Sequence, residues 1–262
     1  MRSNKSLSLI LILAAVVLGT PAFGFGHECH DIITVLADRH LKPSAKKTIE
    51  KYLGGHSIMY YSTWMDDWRK GTMYEFTDTW HAFAVDEDLK YFARPQGDAV
   101  QAVNNAVEIL KDYKNQTDST VAVNLKYIIH CVADMHCPSH IAFKGRKYNY
   151  WVKFCAGTYK PAVDIKIHSV WDYMAFLSCR KWSATEYVRE LDLLTKKEIK
   201  AVTAGTVEDW AADNVSRCMV QFDLSRPGDT LDQNFVNAAM PIIEIQMQYA
   251  GYRLAKVLNS LF

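Results

Sequence analysis

The sequence predicts an all-α fold, arranged as a single compact helical domain that contains at most a short β-hairpin. Apolar residues recur every three or four positions along most of the chain, as on the buried face of a helix. Residues that cap or end helices flank these stretches. No repeat, low-complexity tract or linker divides the chain, and its 262 residues are enough to bury a substantial core. We therefore expect one domain over residues 25–262.

The N-terminal segment, residues 1–24, predicts a secretory signal peptide. Arg2 and Lys5 precede an apolar run at positions 7–18 that is too short to span a bilayer. Small residues around Gly24 suit cleavage after that position. Later segments are not apolar for long enough to cross a membrane. We therefore expect a secreted or periplasmic protein that begins at Phe25 and has no membrane partner.

The mature chain carries helical patterns in long stretches, which are residues 30–41, 43–53, 98–113, 118–136 and 241–258. The helix over 118–136 is expected to be capped by Asp118 or Ser119, and its scarcity of polar residues predicts a central position. The last helix is expected to begin at Pro241. Its inward residues are predicted to be Ile242, Ile245, Tyr249 and Leu254. Only residues 149–155 alternate like a strand, which predicts a short hairpin.

Charge and cysteine content limit the possible functions. Without the signal peptide the chain has 28 basic and 29 acidic residues. A protein that binds nucleic acid by phosphate neutralisation alone usually has a large basic excess, so any such contact must depend on metals or local patches. Six cysteines in an exported chain allow up to three disulfides, but their spacing fixes no pairing. Cys131 and Cys137 could equally be buried free thiols.

Two histidine–aspartate pairs with helical spacing indicate a metal site. His130 and Asp134 form one pair, His168 and Asp172 form the other, and His140 lies between them. Residues four apart share a helix face, so each pair directs an imidazole and a carboxylate to one place. Nitrogen and oxygen donors of this kind bind zinc. One such pair is more often a surface hydrogen bond, but two pairs with further candidates upstream predict a multinuclear metal centre.

Short blocks of the mature chain also occur in a recognisable order. They are Phe25–His30, Ser62–Asp66 followed by Arg69, Trp80–His81, His130–His140, His168–Asp172 and Gln248–Asn259. Together these blocks resemble the zinc-dependent single-strand nucleases of the S1/P1 type, which are related in fold to bacterial zinc phospholipase C. The resemblance extends over essentially the whole mature chain.

The resemblance implies a cluster of three zinc ions. The ligands of the first would be Asp66, His81, His130 and Asp134. Those of the second would be His140, His168 and Asp172. The third would be held by His30, by Asp134 as a bridge, and by the N-terminal amine and carbonyl group of Phe25. Histidines that match no motif position are expected not to bind metal, and these are His27, His40, His56 and His136.

The resemblance also implies a phosphodiesterase mechanism in which Asp66, Arg69 and Asp134 have catalytic roles. A hydroxide shared by the two zinc ions that Asp134 bridges would be the nucleophile near neutral pH. The remaining zinc would keep open positions for a phosphate oxygen and for the departing 3′-oxygen. Arg69 would contact the phosphoryl group as negative charge builds up on it.

The residues expected to bind the substrate base depart from the family pattern. Asn149 is the one match to the family's Gly-Gly-Asn motif, and Ala82 and Ala84 stand where fungal members stack on or read a base. We expect stacking from other aromatic rings instead, namely Phe83, Tyr150 and Trp151. Such stacking favours sequence-tolerant binding of single strands. Each of these rings, taken alone, is more often part of the core.

The expected function is that of an exported, monomeric zinc endonuclease that cuts single-stranded DNA or RNA to 5′-phosphorylated products, with 3′-nucleotidase activity as an addition. Two alternatives stay open. A zinc phospholipase C would use the same cluster on a lipid phosphodiester. A non-catalytic zinc-binding protein would keep the ligands without a substrate site, although a merely structural site does not need metals with open coordination positions.

Overall fold

The computed structural model describes residues 25–179 and 181–262. Within these ranges the chain is predominantly helical with two small sheets, which confirms the predicted all-α class. The predicted signal peptide, residues 1–24, lies outside the described residues. Among the helices that are described, none combines the length and apolar character needed to cross a membrane.

The α-helices are α1 (His27–Arg39), α2 (Pro43–Tyr52), α3 (Trp64–Trp68), α4 (Ala99–Lys111), α5 (Asp118–Asp134), α6 (Ile167–Ser169), α7 (Ala175–Leu177), α8 (Ala184–Leu191), α9 (Lys196–Val202), α10 (Val207–Cys218), α11 (Gln221–Leu224) and α12 (Gln233–Leu261). A π turn, Val170–Met174, joins α6 to α7. Short 3-10 segments cover Ile58–Tyr61, Glu75–His81, Tyr113–Asn115 and Pro138–His140. The strands are β1 (Phe83–Val85), β2 (Ile141–Phe143), β3 (Trp151–Phe154), β4 (Val163–Lys166) and β5 (Thr230–Leu231).

Helix α5 lies at the centre of the fold, as its apolar sequence predicts. Most of its residues are buried, and it packs against α1, α4 and α12. Its N-cap is Thr117, whose hydroxyl accepts a hydrogen bond from the backbone N–H of Thr120. The predicted cap at Asp118 or Ser119 is therefore wrong, because Thr117 already has the extended backbone that a cap requires. The helix ends at Asp134, which places that carboxylate at the end of a rigid, buried element.

Helix α12 begins at Gln233, so the predicted start at Pro241 is wrong. The carboxylate of Asp232 caps the helix by accepting hydrogen bonds from two backbone N–H groups of its first turn. Pro241 lies inside the helix on an exposed face. Water can reach the carbonyl group of Asn237 there, which loses its usual intrahelical donor to the proline ring.

The buried face of α12 also differs from the prediction. Ile245 is 41 % exposed, whereas Ile243, Met247 and Leu254 are fully buried. Leu254 therefore turns inward as predicted, and Ile245 does not. The helix is apolar around much of its circumference, so its sequence permits more than one inward face. Packing against α1 and α5 decides which face is buried.

The predicted hairpin is present, since β3 pairs with β4 in the antiparallel sense. Two further pairings join distant segments and have no signal in the local sequence: β5 pairs with β3, and β1 pairs with β2, both in parallel. The register of the second pair aligns Phe83 with Ile141. Because His81 comes just before β1 and His140 just before β2, this pairing brings the two histidine-bearing segments together.

Cys29, Cys131, Cys137 and Cys218 are buried thiols. Burial raises the pKa of each of these four thiols, so they stay protonated at neutral pH unless a cation binds them. For Cys131 and Cys137, the structure therefore shows the free thiol rather than the disulfide alternative.

Candidate metal centre

The carboxylate of Asp134 is the centre of a buried cluster of imidazoles and carboxylates. Asp134 is completely buried at the end of α5. Its Oδ2 atom lies 2.8 Å from Nδ1 of His81 and 3.0 Å from Nε2 of His130. Its Oδ1 atom lies 3.3 Å from Nε2 of His30 and 3.3 Å from Nδ1 of His140. Each oxygen of this carboxylate therefore faces a different set of metal-ligating groups.

On the Oδ2 side, Asp66, His81 and His130 form one candidate group. The Nδ1 atom of His81 lies 3.5 Å from Oδ1 of Asp66 and 3.0 Å from Nε2 of His130. The other ring nitrogen of His130, Nδ1, lies 2.8 Å from the carbonyl oxygen of Ser62. A hydrogen bond donated to that carbonyl places the ring proton on Nδ1 and leaves Nε2 able to accept a metal.

On the Oδ1 side, the N-terminal segment of the described chain reaches the same carboxylate, and His30, His130 and Asp134 form a second candidate group. The backbone nitrogen of Phe25 lies 3.2 Å from Oδ1 of Asp134. Gly26 donates a hydrogen bond of 2.9 Å from its backbone N–H to the carbonyl oxygen of Asp172. This bond ties the start of the domain to the segment that carries the second histidine–aspartate pair.

A third candidate group contains Cys137, His140 and Asp172. The Oδ1 atom of Asp172 lies 3.4 Å from Nε2 of His140 and 3.6 Å from Sγ of Cys137. His168 is next to this group, with Nε2 3.7 Å from Oδ2 of Asp172 and its ring stacked on that of His140. The structure thus brings His168 and Asp172 together and adds Cys137 to their group. The sequence indicated Cys137 only by its position three residues before His140.

The β-hairpin and the π turn position the second histidine–aspartate pair. Strand β4 leads directly into α6, which carries His168, and the backbone N–H of Ile167 donates a 2.8 Å hydrogen bond to the carbonyl oxygen of Tyr150. Asp172 lies in the π turn. Such turns are frequent at functional sites because the inserted residue changes the direction of the side chains that follow.

Several buried atoms of the cluster make no hydrogen bond within the described part of the chain. They are both ring nitrogens of His30, Nε2 of His81, Nδ1 of His140 and Oδ2 of Asp172. A buried polar atom that is left unsatisfied costs about 1–3 kcal/mol. Metal ions bound among these donors would satisfy them, and a set of imidazole nitrogens and carboxylate oxygens suits zinc.

The charges of the cluster shift the pKa values of its members. Burial is the largest effect on His130 and His140 and favours their neutral rings, but the carboxylate of Asp134 together with that of Asp66 at His130 and of Asp172 at His140 outweighs it and raises their pKa values to about 9 and about 10. Burial also opposes ionisation of Asp134, yet the nearby His130 and His140 lower its pKa well below the usual range. At His81 and His168, by contrast, the effect of burial prevails and lowers the pKa of the ring.

Arg69 lies at the edge of the cluster, directly after the helix that carries Asp66. Its Nε atom is 3.8 Å from Oδ1 of Asp66, and its Nη1 atom is 3.7 Å from Oδ1 of Asp78. The side chain is 9 % exposed, whereas that of Asp78 is 53 % exposed. The guanidinium group therefore lies between the buried cluster and the surface.

The four histidines expected not to bind metal have other neighbours. Both ring nitrogens of His136 are engaged: Nδ1 lies 2.7 Å from the carbonyl oxygen of Val132, and Nε2 accepts from the guanidinium group of Arg253 at 2.9 Å. His40 contacts Asp192, His56 stacks on Tyr60, and His27 lies near Thr63.

The expected substrate residues have different outcomes. Phe83 is completely buried in β1, so its ring has no face to offer a base, and the expectation that it stacks on substrate is wrong. Tyr150 is also buried, and its hydroxyl donates to the carbonyl oxygen of Ser225. Asn149 is exposed just before β3, and Trp151 is 57 % exposed.

Sequence reasoning missed a group of exposed and half-buried aromatic rings on and around α3, which we term the α3 aromatic surface. Its members are Tyr60, Trp64, Trp68 and Phe76, together with Lys126. The side chains of Tyr60, Trp68 and Phe76 are 65 %, 47 % and 58 % exposed. Trp64 and Trp68 stack with ring centroids 6.1 Å apart, and Nζ of Lys126 lies 4.4 Å from the Trp64 ring.

Comparison with known proteins identifies relatives that match most or all of the chain. The family model of S1/P1 nuclease matches residues 25–262. Endonuclease 2 of Arabidopsis thaliana is 22 % identical over 293 residues, covering 100 % of both chains. Nuclease S1 of Aspergillus oryzae is 24 % identical over 284 residues, covering 95 % of each chain. Nuclease P1 of Penicillium citrinum is 22 % identical over 268 residues, covering 88 % of this chain and 96 % of its own.

Proposed function

The chain belongs to the S1/P1 nuclease family, and we propose that it is an exported zinc-dependent endonuclease that hydrolyses single-stranded DNA and RNA to products with 5′-phosphates. The observation that supports this most strongly is the convergence of four imidazoles on one buried carboxylate, that of Asp134. Imidazoles packed this closely keep unsatisfied nitrogens unless metal ions bind them.

We assign the candidate ligands to three zinc ions, following the family pattern. The first would be held by Asp66, His81, His130 and Asp134. The second would be held by His140, His168 and Asp172. The third would be held by His30, Asp134 and the amine and carbonyl group of Phe25. The short distances from Asp134 to its neighbours on both sides support its role as the bridge.

When bound, the zinc ions supply Lewis acidity and a nucleophile that is available near neutral pH. The chain's own residues hold the donors in place and complement the charge of the transition state. The carbonyl group of Ser62 fixes the tautomer of His130, and Asp134 keeps the imidazoles on its two sides together. The guanidinium group of Arg69 binds the phosphoryl oxygens as negative charge builds up on them.

The α3 aromatic surface favours a single-stranded substrate. Bases in a duplex are stacked on one another, whereas unpaired bases can stack on exposed rings. Trp68 offers such a ring on the same short helix as Asp66. Lys126 adds positive charge at this surface and Arg69 adds it at the edge of the cluster, although the chain as a whole is nearly neutral.

The function is tested with purified protein that begins at Phe25 and has been supplied with zinc. It should cut single-stranded DNA and RNA to 5′-phosphorylated products and leave a duplex of the same sequence largely intact. A second assay measures phosphate release from 3′-AMP, the additional activity that the family resemblance implies. Products that carry the phosphate on the 3′ end would contradict the proposal.

A phosphatidylcholine analogue tests the rival reading, a lipid phosphodiesterase. The observation that favours a lipid is the apolar character near the α3 aromatic surface, where Met73 is 80 % exposed. Hydrolysis of the lipid analogue in the absence of any nuclease activity would replace the proposed function.

The role of the surface is tested separately with Trp68→Ala. Loss of one stacked base should raise KM for single-stranded DNA by roughly 10-fold. The rate on bis(p-nitrophenyl) phosphate, which has no base to stack, should stay unchanged. The matched control is Leu193→Ala, which removes an apolar side chain that is 71 % exposed in the loop between α8 and α9. An equal effect of both variants would refute the stacking role.

A further inference from the structure

We propose that the thiol of Cys137 is a fourth protein ligand of the metal bound by His140, His168 and Asp172. This site would then be held by sulfur as well as by nitrogen and oxygen, which the family resemblance does not imply. The inference rests on the metal centre proposed above, and the experiment below separates the failure of one from the failure of the other.

The donor atoms have the spacing that a single metal ion requires. The Sγ atom of Cys137 lies 3.6 Å from Oδ1 of Asp172, and Nε2 of His140 lies 3.4 Å from the same oxygen. Zinc bonds of roughly 2.0–2.3 Å in a tetrahedral arrangement separate neighbouring donors by roughly 3.3–3.6 Å. The ligand atoms of Cys137, His140 and Asp172 all lie within 4.8 Å of one another, which is close enough to form one metal site.

A tight turn sets Cys137 and His140 next to each other. The backbone N–H of Cys137 donates to the carbonyl oxygen of Asp134, and that of His140 donates to the carbonyl oxygen of Cys137, each at 3.0 Å. Pro138 opens the 3-10 segment between them and restricts its backbone. The thiol is thereby held at the cluster by the chain segment that also carries two of the proposed ligands.

A buried carboxylate oxygen near the thiol points to a missing ligand. Oδ2 of Asp172 makes no hydrogen bond within the described residues, although this side chain is completely buried. The nearest protein partner of the thiol besides Asp172 is the hydroxyl of Ser139, at 3.1 Å. The buried thiol of Cys131 has a different neighbour from that of Cys137, because its Sγ atom lies 3.7 Å from the thioether sulfur of Met65.

Coordination would change the chemistry of this site. As the metal–sulfur bond forms, the thiol proton passes to solvent and the ion gains a thiolate ligand. Four protein donors complete a tetrahedral shell, as in structural zinc sites. The ion at His140 and Asp172 would then have its main role in holding the cluster together, and it would bind soft metals such as cadmium more tightly than an all-nitrogen-and-oxygen site does.

The first experiment replaces zinc with cobalt(II) and records the absorption spectrum of the protein that begins at Phe25. A thiolate ligand gives an intense charge-transfer band in the near ultraviolet, separate from the visible bands of the metal itself. Cys137→Ser should lose this band and keep the visible bands. Cys218→Ser, which alters a buried thiol in α10, should keep both.

The second experiment requires no variant and so does not depend on how Cys137→Ser folds. X-ray absorption at the zinc edge should show a sulfur neighbour at roughly 2.3 Å, at about one sulfur for every three zinc ions. Visible cobalt bands without the charge-transfer band, and a zinc edge without sulfur, would overturn the role of Cys137 and leave the proposed function intact. Failure of every form to bind cobalt or zinc would overturn both.

Discussion

The backbone nitrogen of Phe25 lies 3.2 Å from Oδ1 of Asp134, a residue 109 positions further along the chain. Gly26 secures this contact through its hydrogen bond to the carbonyl oxygen of Asp172. A side chain at Gly26 is excluded, because an added Cβ would lie 2.5 Å from Cβ of Tyr173. The first residues of the domain are therefore held against the cluster.

This contact predicts that removal of residues 1–24, the predicted signal peptide, completes the metal centre. A free amine at Phe25 can bind zinc, whereas the amide nitrogen of an extended chain has no available lone pair. Protein with residues added ahead of Phe25 should therefore contain about one zinc ion fewer than protein that begins at Phe25, and it should lose most of its nuclease activity. Elemental analysis and a single-stranded DNA assay measure the two effects.

The control carries the same extension after Phe262, far along the chain from the cluster, and should behave like the unmodified protein. Removal of the N-terminal extension by a protease should restore both the zinc and the activity. Full activity in the extended protein would show that the amine of Phe25 is not a ligand.

A second prediction compares two carboxylates of the cluster. Asp134 faces donors on both sides, whereas Asp172 faces one group, so Asp134→Asn should lower the zinc content more than Asp172→Asn. His136→Gln is the matched control in the same segment. It should retain the full zinc content, because the ring nitrogens of His136 bind Val132 and Arg253. Equal zinc loss from the two aspartate variants would show that Asp134 is not the bridge.

A third prediction concerns the pH dependence of zinc affinity. In metal-free protein the pKa of His130 is about 9 and that of His140 about 10, since the neighbouring carboxylates together outweigh the effect of burial. Both rings are thus protonated at neutral pH and must each lose a proton when zinc binds. Each of the two zinc sites to which these rings belong should therefore gain affinity as the pH rises, by roughly 10-fold per unit between pH 6 and 8 for its imidazole proton, and a proton released by the Cys137 thiol would steepen the slope at the His140 site.

The slope of zinc affinity against pH distinguishes His130 and His140 from the neighbouring imidazoles. Burial lowers the pKa of His81 and His168, so these rings are already neutral and release no proton near pH 7. Competition with a chelator of known affinity at several pH values measures the slope. An affinity that does not change between pH 6 and 8 would contradict the assignment of protons to His130 and His140.

A fourth prediction tests the packing that supports the site. Gly251 of α12 lies against Leu36 of α1, and an added Cβ would be 2.6 Å from Cδ2 and 2.9 Å from Cβ of Leu36. Gly251→Ala should therefore destabilise the protein by about 1–3 kcal/mol, because the two helices must move apart. Thermal unfolding of the zinc-bound protein measures the change.

Lys256→Ala, on an exposed position of the same helix, is the control and should change stability little. The double variant Gly251→Ala/Leu36→Ala should lose less stability than the sum of the two single variants, because Leu36→Ala removes the Cδ2 and Cγ atoms that an added Cβ would meet. Unchanged stability of Gly251→Ala alone would mean that the two helices can separate without cost.

The helical class and the two histidine–aspartate pairs were predictable because both depend on residues close in sequence. An apolar residue every three or four positions specifies a helix locally, and the four-residue spacing of His130 and Asp134 places their side chains on one face. The same reasoning failed at Pro241, where proline usually marks a helix start. There the carboxylate of Asp232 supplies an earlier cap, and Pro241 lies on an exposed face of the helix.

The sequence by itself determined the helical class, the central position of α5 and the two histidine–aspartate pairs, because periodicity and spacing carry that information, whereas the other candidate ligands came from the resemblance to a family. Only the tertiary structure decided which distant segments meet. The pairing of β1 with β2 buries Phe83 and brings the His81 and His140 segments together, and the π turn carries Asp172 to within 3.6 Å of the Cys137 thiol. These contacts depend on the packing of elements that are far apart in sequence, and no local pattern of residues encodes that packing.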